Sequence, residues 1–176
     1  FAHVLARRSN KEPYEARDVE SEKLAAMVQA GSSFGVSTTA IGNTPMAETL
    51  RDLTWRAHQK EMNTPATNQE SVDLMRIGAK EVAANPDGIE LEGAFIAAGK
   101  LIGMINRETL ADQTSTGFQQ GLNMYEALAM TARGFAWLTN DNRSRADQIH
   151  AGRAYTRMNL TATSLGVSIH PWSQSL

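Results

Sequence analysis

The 176-residue sequence predicts an α+β fold, mostly helix with about three short strands. Three observations carry that expectation. Ile149, Ala151, Ala154, Tyr155, Met158, Ala162 and Leu165 recur at three- and four-residue steps, so they share one face of a long helix. Short runs rich in β-branched or aromatic residues occur at 34–41 (FGVSTTAI), 135–139 (FAWLT) and 167–171 (VSIHP). These runs do not alternate with helices in the way that successive βαβ units require.

In chain order, residues 3–8 read as the end of a helix, with Val4 and Leu5 followed by Arg7-Arg8. Residues 9–17 are a polar connection containing Pro13. Residues 18–30 form the next predicted helix, capped by Ser21 and presenting Leu24, Met27 and Val28. Gly31-Ser32-Ser33 ends it, and the strand at 34–41 follows. Thr44 caps and Pro45 opens a helix running over 46–62. Residues 63–69 read as a loop with Pro65, and 70–84 as a shorter helix. Asn85-Pro86-Asp87-Gly88 is a strong turn signal, after which 89–92 alternates briefly. Residues 93–105 are apolar, rich in small residues and helix-compatible. A polar loop at 113–117 leads to a helix over 118–133, with Leu122, Tyr125, Leu128 and Ala129 on one face. After the strand at 135–139, Asn140-Asp141-Asn142 reads as a turn and N-cap for the long helix. Gly166 stops that helix, and Pro171 ends the extended segment after it.

The length favours a single domain over 1–176, and no linker or repeat divides it. A chain that opens on Phe1 and stops after Gln174-Ser175-Leu176 reads as a piece of something longer. The net charge of -2 argues against a general nucleic-acid binder. No apolar run approaches a membrane span, so no membrane partner is expected. Cysteine is absent, which excludes a disulfide frame, a thiolate nucleophile and a thiolate metal site. Arg7-Arg8 is followed by charged residues rather than an apolar stretch, so it does not read as an export signal, and a cytoplasmic location is expected.

Residues 93–100 (GAFIAAGK) imitate a P-loop, but the spacing is wrong and Leu101 replaces the magnesium-binding hydroxyl. A helix packing closely on a neighbour is the better reading. The spacings of Asp147 with His150 and of His58 with Glu61 offer no third ligand, so no metal is expected. Ser173 near His170 does not by itself make a nucleophile and base. The acceptor patterns at Asn142 and Asn159 are discounted. Arg153 and Arg157 lie one helical turn apart, where they reach an anion or form a solvated face with acidic neighbours. Arg7-Arg8-Ser9-Asn10-Lys11 gathers cations, a hydroxyl and backbone donors that suit a phosphate, or cations that stabilise a helix end.

Arg7-Arg8-Ser9, then Val19-Glu20 and the helix with Leu24, resembles the opening of the FMN-dependent nitroreductase superfamily. The stretch from Ala151-Gly152-Arg153-Ala154 through Leu165-Gly166 to Pro171 resembles that family's late helix and the segment after it. Asn85-Pro86-Asp87-Gly88 and His170-Pro171-Trp172-Ser173-Gln174 resemble the second half of tandem nitroreductase-like, dormancy-type flavin-binding proteins. The resemblance implies helices around a small, mostly antiparallel sheet, arranged as a homodimer or as a pseudo-dimer with a missing homologous half. It implies a bacterial-type flavoprotein that passes hydride from NAD(P)H through FMN to a nitroaromatic or quinone acceptor. Carried over residue by residue, Arg7, Ser9 and Lys11 would contact the FMN phosphate or ribityl chain. Pro171, Trp172, Ser173 and Gln174 would frame the ring, with no side chain acting as a catalytic acid or base. Where the family places an Asn and Gln-Pro-Trp stretch, this chain reads Gly31-Ser32-Ser33-Phe34-Gly35. Ser173-Gln174 stands in place of an acidic-Gly pair. The alternative implied by those departures is a non-catalytic half that binds flavin or supplies one wall of the interface.

Overall fold

The computed structural model describes residues 2–174. In chain order the elements are α1 (Ser21–Gly31), β1 (Ser37–Ile41), α2 (Pro45–Met62) and α3 (Pro65–Leu74). Then come β2 (Met75–Ile77), α4 (Ala79–Ala84), β3 (Ile89–Leu91) and α5 (Ala94–Leu101). The chain continues with α6 (Arg107–Ala111), α7 (Thr116–Thr131), β4 (Phe135–Thr139) and α8 (Arg145–Ser164). The architecture is mixed α+β, as the sequence predicts. No helix among the described residues is long and apolar enough to cross a membrane.

Two compact units make up the chain. One takes in the described residues up to Thr54 together with Ala127–Ser173; the other takes in Trp55–Glu126 and Gln174.

In the first unit β1 and β4 pair antiparallel, with Ser37 opposite Thr139 and Ile41 opposite Phe135. α1 packs on α8 and on β1. The core between them is Met27, Met158 and Ala162, with Leu138, Tyr155, Val167 and Ile169 closing over it. A Cβ on Gly31 would stand 2.7 Å from Thr38 Oγ1, so glycine lets the end of α1 meet the strand. Ser21 is the first residue of α1 rather than its cap, which is Glu20 without a side-chain cap bond. The cap of α8 is Ser144, not the Asn140–Asn142 cluster. Ser144 Oγ accepts from Asp147 N and the Asp147 side chain accepts from Ser144 N, a reciprocal capping box. Asn140 instead donates its Nδ2 to the Asp147 carbonyl at 2.7 Å.

The end of α8 sets up everything after it. Gly166 (φ 69°) donates to Thr163 O at 3.2 Å, and Val167 donates to Ala162 O at 2.8 Å. That pair of bonds is a Schellman stop, with Val167 folding back on the Ala162 cluster. The strand expected at 167–171 is reduced to one parallel bridge, Ser9 with Ile169. The expected strand at 34–41 starts at Ser37, because Phe34 and Gly35 both take positive φ (58° and 76°). Residues 3–6 form turns and 7–8 are irregular, rather than the end of a helix.

The second unit departs further from expectation. Pro65 opens α3 at its first turn, where a missing N–H costs nothing, so 63–69 is not simply a loop. The helix expected over 70–84 breaks after Leu74, and Met75-Arg76-Ile77 becomes β2, buried at Met75 and Ile77. β2 pairs parallel with β3 through a connection that carries α4. The core is Val72, Met75, Ile77, Leu91 and Ile105, lined by Ile89, Ile96, Met104, Leu110 and Ala111. His58 is buried against Tyr125, with ring centroids 4.6 Å apart.

Lys100, the last residue of the P-loop imitation, donates to Ile77 O at 2.6 Å and pairs with Glu81 at 2.9 Å. Glu81 also pairs with Arg107 at 2.9 Å and accepts from Ile77 N at 3.1 Å. The hydrogen bonds from Arg107, Lys100 and Ile77 N hold the Glu81 carboxyl at about 2, well below the ordinary 4.5. A depressed carboxyl stabilises the fold above its unfolded value, and that contribution fades as pH falls through 2. Glu81→Gln is therefore expected to cost about 1 kcal/mol at neutral pH, since the groups are partly exposed. Urea melts at several pH values check this: the gap between wild type and variant should close on acidification, and a pH-independent gap would disprove the assignment.

Candidate cofactor site

The early basic stretch and the chain's last proline segment lie side by side in the first unit. Ser9 bridges Ile169 in parallel, and Asn10 N donates to Ile169 O at 2.9 Å. His170 Nδ1 lies 2.5 Å from the Asn10 carbonyl oxygen. A carbonyl only accepts, so Nδ1 carries the proton. Burial lowers the His170 pKa and nearby Lys11 adds to that, against the opposing bond to Asn10, so the ring is neutral at pH 7. Its ring tilts against Trp172, with centroids 4.9 Å apart.

The basic stretch is held from its other side as well. Asn10 folds its side chain onto Glu12, donating Nδ2 to Glu12 O at 2.6 Å. Tyr14 N donates to Thr131 Oγ1 at 2.9 Å, and that hydroxyl donates to Ala127 O at 2.6 Å. Burial raises the Tyr14 hydroxyl above its ordinary value, while hydrogen bonds with the Asn10 side chain and the His170 main chain work the other way. Tyr14, Asn10 and His170 thus tie both segments together. Asn10 and His170 fall inside the stretches singled out in the sequence but were given no role of their own, and Tyr14 was missed; an aromatic residue inside an otherwise polar connection was the available signal for it.

Ser9 is the bridge residue, with Arg7 closing the turn before it through Arg7 N to His3 O at 3.0 Å and Lys11 two residues after it. Arg7 is half-buried and Ser9 exposed, and neither side chain has a hydrogen bond or ion pair among the described residues. Arg8 turns its guanidinium back onto Leu5 O and Arg7 O, at 2.9 and 2.8 Å. Pro171 and Ser173 are exposed and Trp172 is half-buried. Gln174 groups with the second unit, and its Oε1 is buried without a hydrogen-bond partner among the described residues. Arg7, Ser9 and Lys11 supply a guanidinium, a hydroxyl and an ammonium within five residues, donor types that match a phosphate dianion. The residues present therefore fit the phosphate end of FMN.

Two further sequence expectations find their places. Asn159 is buried and donates to Tyr155 Oη at 3.1 Å, which removes it as a glycosylation acceptor. Phe34, expected to open a strand, lies instead against Arg153, whose Cζ is 4.1 Å from the ring centroid. No protein-family model matches the chain, and no curated protein or solved structure matches it.

Proposed function

We propose that this chain is a nitroreductase-type flavin-binding domain, with FMN held where the 7–11 segment runs beside the 169–173 segment. The observation that carries this reading is the Ser9–Ile169 bridge, which sets a phosphate-binding donor set against the segment proposed to face the ring. Arg7, Ser9 and Lys11 would grip the phosphate or ribityl chain. Pro171, Trp172 and Ser173 would frame the isoalloxazine ring. Bound FMN would supply hydride transfer from NAD(P)H to a nitroaromatic or quinone acceptor. The chain's own part is binding and orientation. His170, fixed through Nδ1 on the Asn10 carbonyl, keeps the two segments in register, and its burial disfavours the charged ring. Trp172 shields one side of the site from water. A second copy, or a homologous half, would enclose the exposed remainder.

The reading is tested with the purified chain and added FMN. Saturable binding near one flavin per chain, or per half of an assembled pair, is expected, with anaerobic bleaching of the flavin absorbance by NADPH or NADH. Absence of saturable binding would overturn it. Binding without bleaching would select a second reading, a half that holds flavin without turnover. Phe34 under Arg153, at the place of the family's flavin-holding stretch, favours that second outcome.

A further inference from the structure

We propose that the groove between Phe34 and the first half of α8 is an anion site that takes a phosphate monoester carrying an aromatic group. Its volume is about 450 Å³, and Phe34, Ile149, Gly152, Arg153, Thr156 and Arg157 line it. It uses none of the residues placed against the FMN phosphate or ring in the 7–11 and 169–173 segments.

Three observations build it. Arg153 and Arg157 both crowd one ring, with Cζ atoms 4.1 and 5.7 Å from the Phe34 centroid. Neither arginine makes a hydrogen bond or ion pair among the described residues. The ring's negative face offsets two neighbouring guanidinium charges only in part. Residues 143–164 contain four arginines and a single carboxylate, Asp147, and that carboxylate is engaged in the cap with Ser144. Within this stretch the cations therefore have no acidic neighbour left to balance them. Phe34 is the only non-glycine with positive φ (58°) among the described residues. A bulky side chain held in that region marks a backbone over-determined by its surroundings, a pattern that clusters at ligand clamps.

The chemistry selects the ligand. Two guanidinium groups match a dianion with several acceptor oxygens, whereas one carboxylate neutralises only one of them. Cations are repelled. The exposed Ile149 and the Phe34 ring are the apolar part of the lining that an aromatic group would meet, and His150 also stacks on that ring with centroids 6.1 Å apart. Thr156 donates its hydroxyl to Gly152 O at 2.8 Å, so it is not a donor to the ligand. Gly152 is exposed, and a Cβ there would meet nothing within 4 Å, so a larger side chain can be placed at this position without strain.

Titration at low salt with phenyl phosphate, inorganic phosphate and phenol, read by NMR shifts of α8, tests the site. Phenyl phosphate should saturate with a Kd of roughly 0.1–1 mM, phosphate alone several-fold more weakly, and phenol not at all. Arg153→Gln with Arg157→Gln should weaken phenyl phosphate at least about tenfold. Gly152→Leu fills the groove from an open helix position, so it should keep the melting temperature and abolish binding. Arg7→Ala with Ser9→Ala should leave unchanged the phenyl phosphate Kd read from the α8 shifts alone, whatever it does to phosphate binding beside Ser9, which separates this site from the flavin proposal. No saturation by about 10 mM phenyl phosphate, or full affinity in the Gly152→Leu chain, would overturn the proposal.

Discussion

Replacing Arg7 and Ser9 together by alanine is expected to weaken FMN binding by about 100-fold while the chain stays folded. Each charge-assisted hydrogen bond to a phosphate contributes about 1.5–3 kcal/mol, and every 1.4 kcal/mol is a factor of ten. The fold has little stake in either side chain. Ser9 joins Ile169 through its backbone, and Arg7 N keeps its bond to His3 O at 3.0 Å whatever side chain follows. The measurement is a flavin titration of both proteins with FMN and with riboflavin, which lacks the phosphate. In the variant, FMN affinity should fall to that of riboflavin, and riboflavin affinity should not move. Equal FMN affinities in the two proteins would remove the phosphate assignment and leave the ring assignment standing. A fall for both ligands would instead trace the loss to a disturbed backbone.

What the sequence could and could not reveal follows from the range of the interactions involved. The long helix α8 was legible because Ala154, Tyr155, Met158 and Ala162 recur on the face that packs on a single core, although Ile149, expected on that face, is exposed. Its start was misplaced because three turn-formers precede Ser144, and only the Ser144–Asp147 spacing separates a capping box from an ordinary turn. β2 was hidden for a different reason. Val72, Met75 and Ile77 fit a helical face nearly as well as a three-residue strand, and pairing with β3 decides between them. That decision is non-local and leaves no periodic trace. At the candidate site the charged residues were visible as a cluster. Asn10, Tyr14 and His170, which hold the two segments together, act through main-chain carbonyls and amides that any sequence possesses. The turn at Asn85–Gly88 shows the opposite case, where local chemistry was sufficient and the partner strand gave it a purpose.

Gly88→Ala is expected to destabilise the second unit by about 3 kcal/mol or more. Gly88 has φ 69°, where an L-residue pays about 1–2 kcal/mol before any contact is counted. An added Cβ would also stand 2.2 Å from the Leu74 carbonyl oxygen, a backbone atom with no rotamer to change. Leu74 ends α3 and is followed directly by β2, while Gly88 directly precedes β3. Relief of the clash must therefore push apart the strands at their first pair, Met75 with Ile89, and loosen the core that Met75 and Leu91 share. Gly103→Ala is the control. Its φ of 75° carries the same backbone cost, but nothing lies within 4 Å of the new methyl, so about 1 kcal/mol is expected. Denaturant melts of the two variants isolate the steric part as their difference. Equal losses would mean that the β2–β3 pair yields without cost, and that this parallel pairing is not what fixes the turn.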